Sequence, residues 1–318
     1  MSTTTRMMIV VGVIFAAAAL LLVARRAGPP RTGLKVAFDA EFLTRPDGYK
    51  GLSEHYGFEF ASEPMQMDPG LMYRALADGA VDVIDGFATD GRIPAYGLAV
   101  LEDDRGFFPP YYAAPLVRAE TLDEHPQLGE LLNRLGGRIS NEAMQQMNYE
   151  VDEKGQKAEA VAREFLEGEG LIGPGATAGE GRAGTIILGG KHFSEQEILG
   201  ELMALVIECN CDIKVVRKLN LGGTIICFNA LTAGDLDLYA EYTGTALVNI
   251  LKQGAIADPE EAYETVKREF SRKYDLVWLE PFGFNNTYTL TMRRQQAEAL
   301  GIQTISDLAE YVTSEDAR

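Results

Sequence analysis

The residues best placed to do chemistry in this chain stand just after stretches that read as strands. Lys191 follows Leu188, Tyr242 and Thr245 follow Tyr239, and Phe87 follows Ile84. Open α/β sheets bind small molecules at the carboxyl ends of their strands, so this placement suits a ligand site. Position alone equally allows core rings and a solvated lysine. Catalysis has no comparable seat: no nucleophile elbow, phosphate loop or metal-binding run occurs, and His55, His125 and His192 are scattered. Gly189-Gly190-Lys191 lacks the spaced glycine and the Ser/Thr after lysine that a phosphate loop needs. Cys209-Asn210-Cys211 has no second cysteine pair or histidine at zinc spacing, and with Cys227 it reads as small buried residues. The chain is therefore read as a non-enzyme without cofactor or metal.

The elements that would hold these residues repeat. Ala75-Leu76-Ala77-Asp78-Gly79-Ala80-Val81-Asp82-Val83 and Ala230-Leu231-Thr232-Ala233-Gly234-Asp235-Leu236-Asp237-Leu238 share one pattern. Each reads as a helix stopped by glycine and followed at once by a strand, which implies two α/β units with a cleft between them. In the first half, strands are expected at Leu34 to Phe38, Phe58 to Ala61 and Val81 to Ile84, alternating with helices near Gly48 to Tyr56 and Pro69 to Asp78. Helices follow near Leu122 to Leu135, Ser140 to Tyr149 and Ala158 to Glu167. Residues 173–184 carry five glycines and no bulky apolar side chain, and they read as a flexible linker. Beyond it, strands at Thr185 to Leu188, Ile213 to Val216 and Leu236 to Tyr239 alternate with helices from Ser194 to Glu208 and Gly223 to Ala233. Helices near Gly244 to Leu251 and Pro259 to Tyr274, then strands at Leu276 to Leu279 and Tyr288 to Met292, complete the half. The alternation argues for parallel sheets of βαβ type.

With 318 residues, 46% of them apolar, the chain can bury a substantial core. A formal net charge of -18 excludes phosphate-backbone binding as the main business of the protein, because nucleic-acid partners need basic surface. The run Met7 to Ala24 is uncharged and about 27 Å long as a helix, close to one hydrocarbon thickness. It reads as an uncleaved anchor rather than a signal sequence, since no small-x-small cleavage site follows it. Arg25, Arg26 and Arg31 outnumber Arg6, a bias that by the positive-inside rule would leave the bulk of the chain in the cytoplasm.

Six stretches then become recognisable together: Gly189-Gly190-Lys191-His192-Phe193-Ser194-Glu195-Gln196; Glu241-Tyr242-Thr243-Gly244-Thr245; Trp278-Leu279-Glu280-Pro281-Phe282-Gly283-Phe284-Asn285-Asn286-Thr287-Tyr288; Ala40-Glu41-Phe42-Leu43-Thr44-Arg45-Pro46-Asp47-Gly48; Phe87-Ala88-Thr89-Asp90-Gly91-Arg92; and Phe107-Phe108-Pro109-Pro110-Tyr111-Tyr112. They resemble the glycine betaine/carnitine/choline substrate-binding proteins of osmoprotectant ABC importers, over about residues 34–172 and 185–312. Members of that family begin with the Gly-Gly-Lys-x-Phe segment and end beyond the Pro-Pro-Tyr-Tyr segment, so this chain resembles a circular permutation in which the linker joins the former ends. Exchange of halves between two chains is the other arrangement that the linker permits.

The resemblance implies a two-lobed α/β periplasmic-binding-protein fold of type II, circularly permuted, with an N-terminal transmembrane or signal segment. Residues 1–32 would be that segment and its spacer, 33–90 with 286–318 lobe II, 91–172 with 185–285 lobe I, and 173–184 the linker. Crossings near Phe87 to Asp90 and Phe284 to Asn286 would form the hinge. The implied ligand is a small quaternary ammonium, whose methylated cation cannot donate hydrogen bonds and is held by π faces instead. Tyr242, Tyr288, Tyr111 and Phe87 would be cage walls, with Phe42 closing the cage from the other lobe. Lys191, Arg45 and Thr245 would hold a ligand carboxylate, while Asp90 and Arg92 brace a turn. The implied function is capture outside the membrane and delivery to an ABC permease. A membrane-tethered sensing domain using the same cleft is the alternative.

Overall fold

The structure, a computed structural model, describes residues 33–314. The apolar run Met7 to Ala24 lies outside them, and among the described residues no helix is long and apolar enough to cross a membrane. In chain order the strands are β1 (Val36–Phe38), β2 (Met65–Gln66), β3 (Val83–Phe87), β4 (Leu98–Val100), β5 (Ala113–Arg118), β6 (Thr185–Gly189), β7 (Lys214–Lys218), β8 (Leu238–Tyr242), β9 (Leu276–Trp278) and β10 (Tyr288–Arg293). They form two five-stranded sheets, ordered β2-β1-β3-β10-β4 and β7-β6-β8-β5-β9.

Both sheets are mixed, where the sequence suggested parallel ones. Helical crossovers make β1 parallel to β2 and β3, and β6 parallel to β7 and β8. The strands β10 and β5 arrive instead from the other sheet's side of the molecule and pair antiparallel with β3 and β8. The two sheets thus have the same plan, with β3 matching β8 and β10 matching β5.

The repeated phrase explains that likeness at atomic level. Gly79 and Gly234 both end helices with left-handed φ, 76° and 82°. After each, an aspartate carboxyl accepts a backbone N–H from the neighbouring strand or its approach: Asp82 from Lys35, just before β1, at 2.9 Å, and Asp237 from Ile187, within β6, at 2.6 Å. Each aspartate also meets an arginine at the far end of the antiparallel strand, Arg293 at 2.6 Å and Arg118 at 3.7 Å.

Three expectations need correction. The chain does not cross between sheets at Phe87 to Asp90: after that turn it returns to the first sheet as β4, so residues 92–100 belong with β1–β3 rather than with lobe I. That crossing runs instead through residues 107–112, while the second lies at 284–287 as expected, and the two are bridged side by side where Tyr112 pairs with Asn285. Phe58 to Ala61 is not a strand; the edge strand is Met65–Gln66, because Phe60 is buried against Phe38 and Phe58 against Phe60 rather than alternating across a sheet. The helix expected from Leu122 to Leu135 is two, Ala119–Glu124 and Gln127–Asn133, interrupted at Pro126, which lacks a backbone N–H.

Residues 173–184 are pinned rather than loose. Arg163 donates to the Ala176 carbonyl at 2.8 Å, Gly179 N–H to Glu208 O at 3.0 Å, and Gly181 N–H to the Asp212 carboxyl at 2.7 Å. This tacks the segment along the C-terminal end of the helix Ser194–Asn210. Cys209 and Cys211 are only half-buried there, whereas Cys227 is fully buried.

Candidate ligand-binding site

Register places the rings. Antiparallel pairing sets Tyr288, at the start of β10, opposite Phe87, at the end of β3. The second sheet repeats the device, with Tyr242 at the end of β8 opposite Ala113, just after Tyr111. Both sheets therefore bring their rings to edges that face one another across a cleft.

A cavity, partly open to solvent, lies between them. Tyr242, Tyr288, Tyr111, Phe87, Lys191, Arg45 and Thr245 all line it. Phe42 does not. It is fully buried behind Tyr288, ring centroids 5.1 Å apart, and supports that ring instead of facing the cleft. Phe193, Asn286, Asp39 and Glu41 line the cavity without having been singled out, although each stands in a quoted motif or beside one. Phe193 stacks across the cleft on Phe87 at 6.0 Å and 3°, and on Tyr242 at 6.3 Å. Tyr111 meets Tyr288 edge-on at 5.6 Å.

The cations of the site already have anionic partners. Arg45 holds Asp47 through two hydrogen bonds of 2.9 and 2.6 Å, and its guanidinium lies 5.2 Å from the centre of the Tyr288 ring. Lys191 Nζ is 2.6 Å from Glu241, whose side chain is completely buried. Burial opposes charge on Glu41, yet Lys191 and the Thr224 N–H outweigh it and hold the carboxyl below its ordinary value. Glu41 accepts from Thr224 N–H at 2.8 Å, a contact between the lobes.

Behind Tyr242 sits Glu195, a buried carboxylate with four donors. Tyr242 OH at 2.7 Å and Asn286 Nδ2 at 2.8 Å reach one oxygen; Thr89 Oγ1 at 2.5 Å and Asn148 Nδ2 at 3.0 Å reach the other. Burial raises its pKa despite these bonds. Burial likewise keeps the phenols of Tyr111, Tyr242 and Tyr288 protonated. Asp90 and Arg92 form a two-bond pair of 2.9 and 2.6 Å in the turn after β3.

Two α/β lobes with an aromatic-walled cavity between them define a ligand-binding protein of the cleft type. The chain belongs to the family OpuAC, described as the substrate binding domain of an ABC-type glycine betaine transport system, which matches residues 25–168 and 184–317. It is similar to the carnitine transport binding protein OpuCC of Listeria monocytogenes, 49% identical over 136 residues, 42% of this chain and 44% of that protein. A glycine-betaine-binding protein of Pseudomonas aeruginosa is 39% identical over 158 residues, 49% of this chain and 50% of that protein. Among solved structures, a glycine betaine/carnitine/choline ABC transporter protein matches 43% of this chain and 50% of its own, with 42% identity and a TM-score of 0.35. The chain thus spans half or less of the length of these relatives in each match.

Proposed function

We propose that this chain captures a quaternary-ammonium solute, such as glycine betaine, proline betaine, carnitine or choline, and hands it to an ABC permease at the outer face of a cell membrane. The observation that carries the reading is the convergence of Phe87, Phe193, Tyr111, Tyr242 and Tyr288 on one cavity whose cations are already paired. Such a wall attracts a methylated cation through ring faces, each worth roughly 0.5–2 kcal/mol when desolvated. Several together reach the roughly -8 kcal/mol of micromolar binding. Arg45, Lys191 and Thr245 remain the groups nearest a ligand carboxylate, the first two acting from within their ion pairs. Titration calorimetry with the four solutes tests the reading: heat with at least one is expected, and no heat with any would overturn it.

The permuted order belongs to the same proposal. Support comes from the family match in two segments that flank residues 169–183, and from the linker's position along lobe I. Lobe II would comprise residues 33–107 with 286–314, and lobe I residues 113–285, with residues 7–24 as the anchor. A rearranged chain that starts at residue 185, runs to 314 and continues from 34 to 172 should bind the same solutes with unchanged affinity. A rearranged chain that folds yet does not bind would sink the permutation.

A further inference from the structure

Behind the cavity wall two acidic residues, Asp39 and Asp85, are joined by a hydrogen bond from the Asp39 backbone to the Asp85 carboxyl. Asp85, in the middle of β3, is fully buried; its Oδ1 accepts from the Asp39 N–H at 2.9 Å, and its Oδ2 has no hydrogen-bond partner. Asp39 lines the cavity, and its carboxyl caps the helix Ala40–Thr44, accepting from Glu41 N–H at 2.7 Å and Phe42 N–H at 3.3 Å. A buried carboxylate oxygen without a donor is strongly disfavoured, and two adjacent carboxylates cannot both ionise freely. Burial, followed for Asp85 by the charge of Asp39, raises both groups.

The surroundings offer little compensation. The helix Ala40–Thr44 and the turn after it present Glu41 and Arg45, the latter engaged with Asp47. From β10 comes Tyr288, and from the helix Pro69–Ala77 comes Tyr73, itself under the charges of Asp90 and Arg92. The strand β1 contributes only Val36, Ala37 and Phe38.

We propose that Asp39 and Asp85 share a proton and so set the charge of the cavity wall, which couples capture of a cation to proton release from the pair. The inference rests on the cavity being the cation site. With one shared proton the pair contributes a single negative charge at Asp39, beside that of Glu41 in the same wall; a second proton removes the pair's contribution. Affinity for a quaternary ammonium therefore falls as pH drops through the pair's titration, by up to about tenfold per pH unit for one linked proton. The two titration steps belong to the pair and not to either residue.

Choline calorimetry in buffers of different ionisation enthalpy, from pH 4.5 to 8, counts the protons released. Wild-type protein is expected to release protons increasingly toward acid pH. In Asp85→Asn, which keeps the side chain's shape but cannot share, the release should shift to lower pH. Wild-type binding without proton release, or release unchanged in the variant, would overturn the proposal. Carbon-13 NMR titration of the side-chain carboxyls in ligand-free wild-type protein tests the pair without ligand or variant. Mutual inflections at Asp39 and Asp85 are expected, and independent titration of both at ordinary carboxyl values would refute sharing. Failure of choline to bind while the mutual inflections persist would count against the cation site alone.

Discussion

Arg45 and Thr245, two hundred residues apart in sequence, meet across the cleft, the guanidinium donating to the hydroxyl at 3.2 Å. Arg45 keeps Asp47 whatever Thr245 does, so this bond is a separable fastening between the lobes. Thr245→Ala should weaken solute binding by about 0.5–1.5 kcal/mol, a loss of roughly two- to tenfold. Stopped-flow kinetics should show the loss in a faster off-rate with the on-rate nearly unchanged. A slower on-rate alone would count against the fastening.

Tyr242 has two separable parts. Its ring faces the cavity and its hydroxyl serves Glu195. Tyr242→Phe keeps the ring but removes one of the four donors, and should lower stability by about 1–3 kcal/mol in urea unfolding while the variant still binds solute. Tyr242→Ala should abolish binding in calorimetry.

Lys191 balances a carboxylate that has no access to water. Lys191→Met leaves Glu241 buried and unpaired and should destabilise the fold by about 3–5 kcal/mol. Glu241 keeps hydrogen bonds from Tyr239 OH and Tyr242 N–H, so adding Glu241→Gln should restore most of the loss. Denaturant curves of both variants check this; a double variant no more stable than the single one would refute the balance.

Glu195 gives stability a sign with pH. Burial raises its pKa in the fold above the unfolded value of 4.5, so its contribution is fully present below that value and is lost as pH rises through the folded value. Glu195→Gln carries a constant offset and no such slope. The melting temperature of wild-type protein minus that of the variant should therefore fall as pH rises from 4 to 7, and a difference that grows instead would contradict the assignment.

Much of this was legible in the sequence because strand ends and register are local. Phe87, Tyr242 and Tyr288 sit where an apolar strand begins or stops, and antiparallel pairing does the rest. The repeated phrase announced two lobes because glycine C-caps and the following aspartate solve the same local problem twice. The short strand β4 stayed hidden, since three residues leave little periodicity to detect. Phe42 was misplaced because sequence gives a ring's identity but not which side of Tyr288 it takes. The pairing of Arg45 with Asp47 had a signal at two residues' spacing, whereas that of Lys191 with Glu241 spans fifty residues and becomes visible only once β6 and β8 lie side by side.

The two crossings at residues 107–112 and 284–287 have a mechanical consequence. Gly33 and Ser314, the ends of the described chain, lie on the same side as β1 and β10, while everything from β5 to β9 is one uninterrupted length hung from two adjacent strands. A load or attachment acting at residue 33 therefore grips one jaw only. The other is joined to it in the chain only through those two crossings, so any load reaches it through them and through the bonds across the cleft.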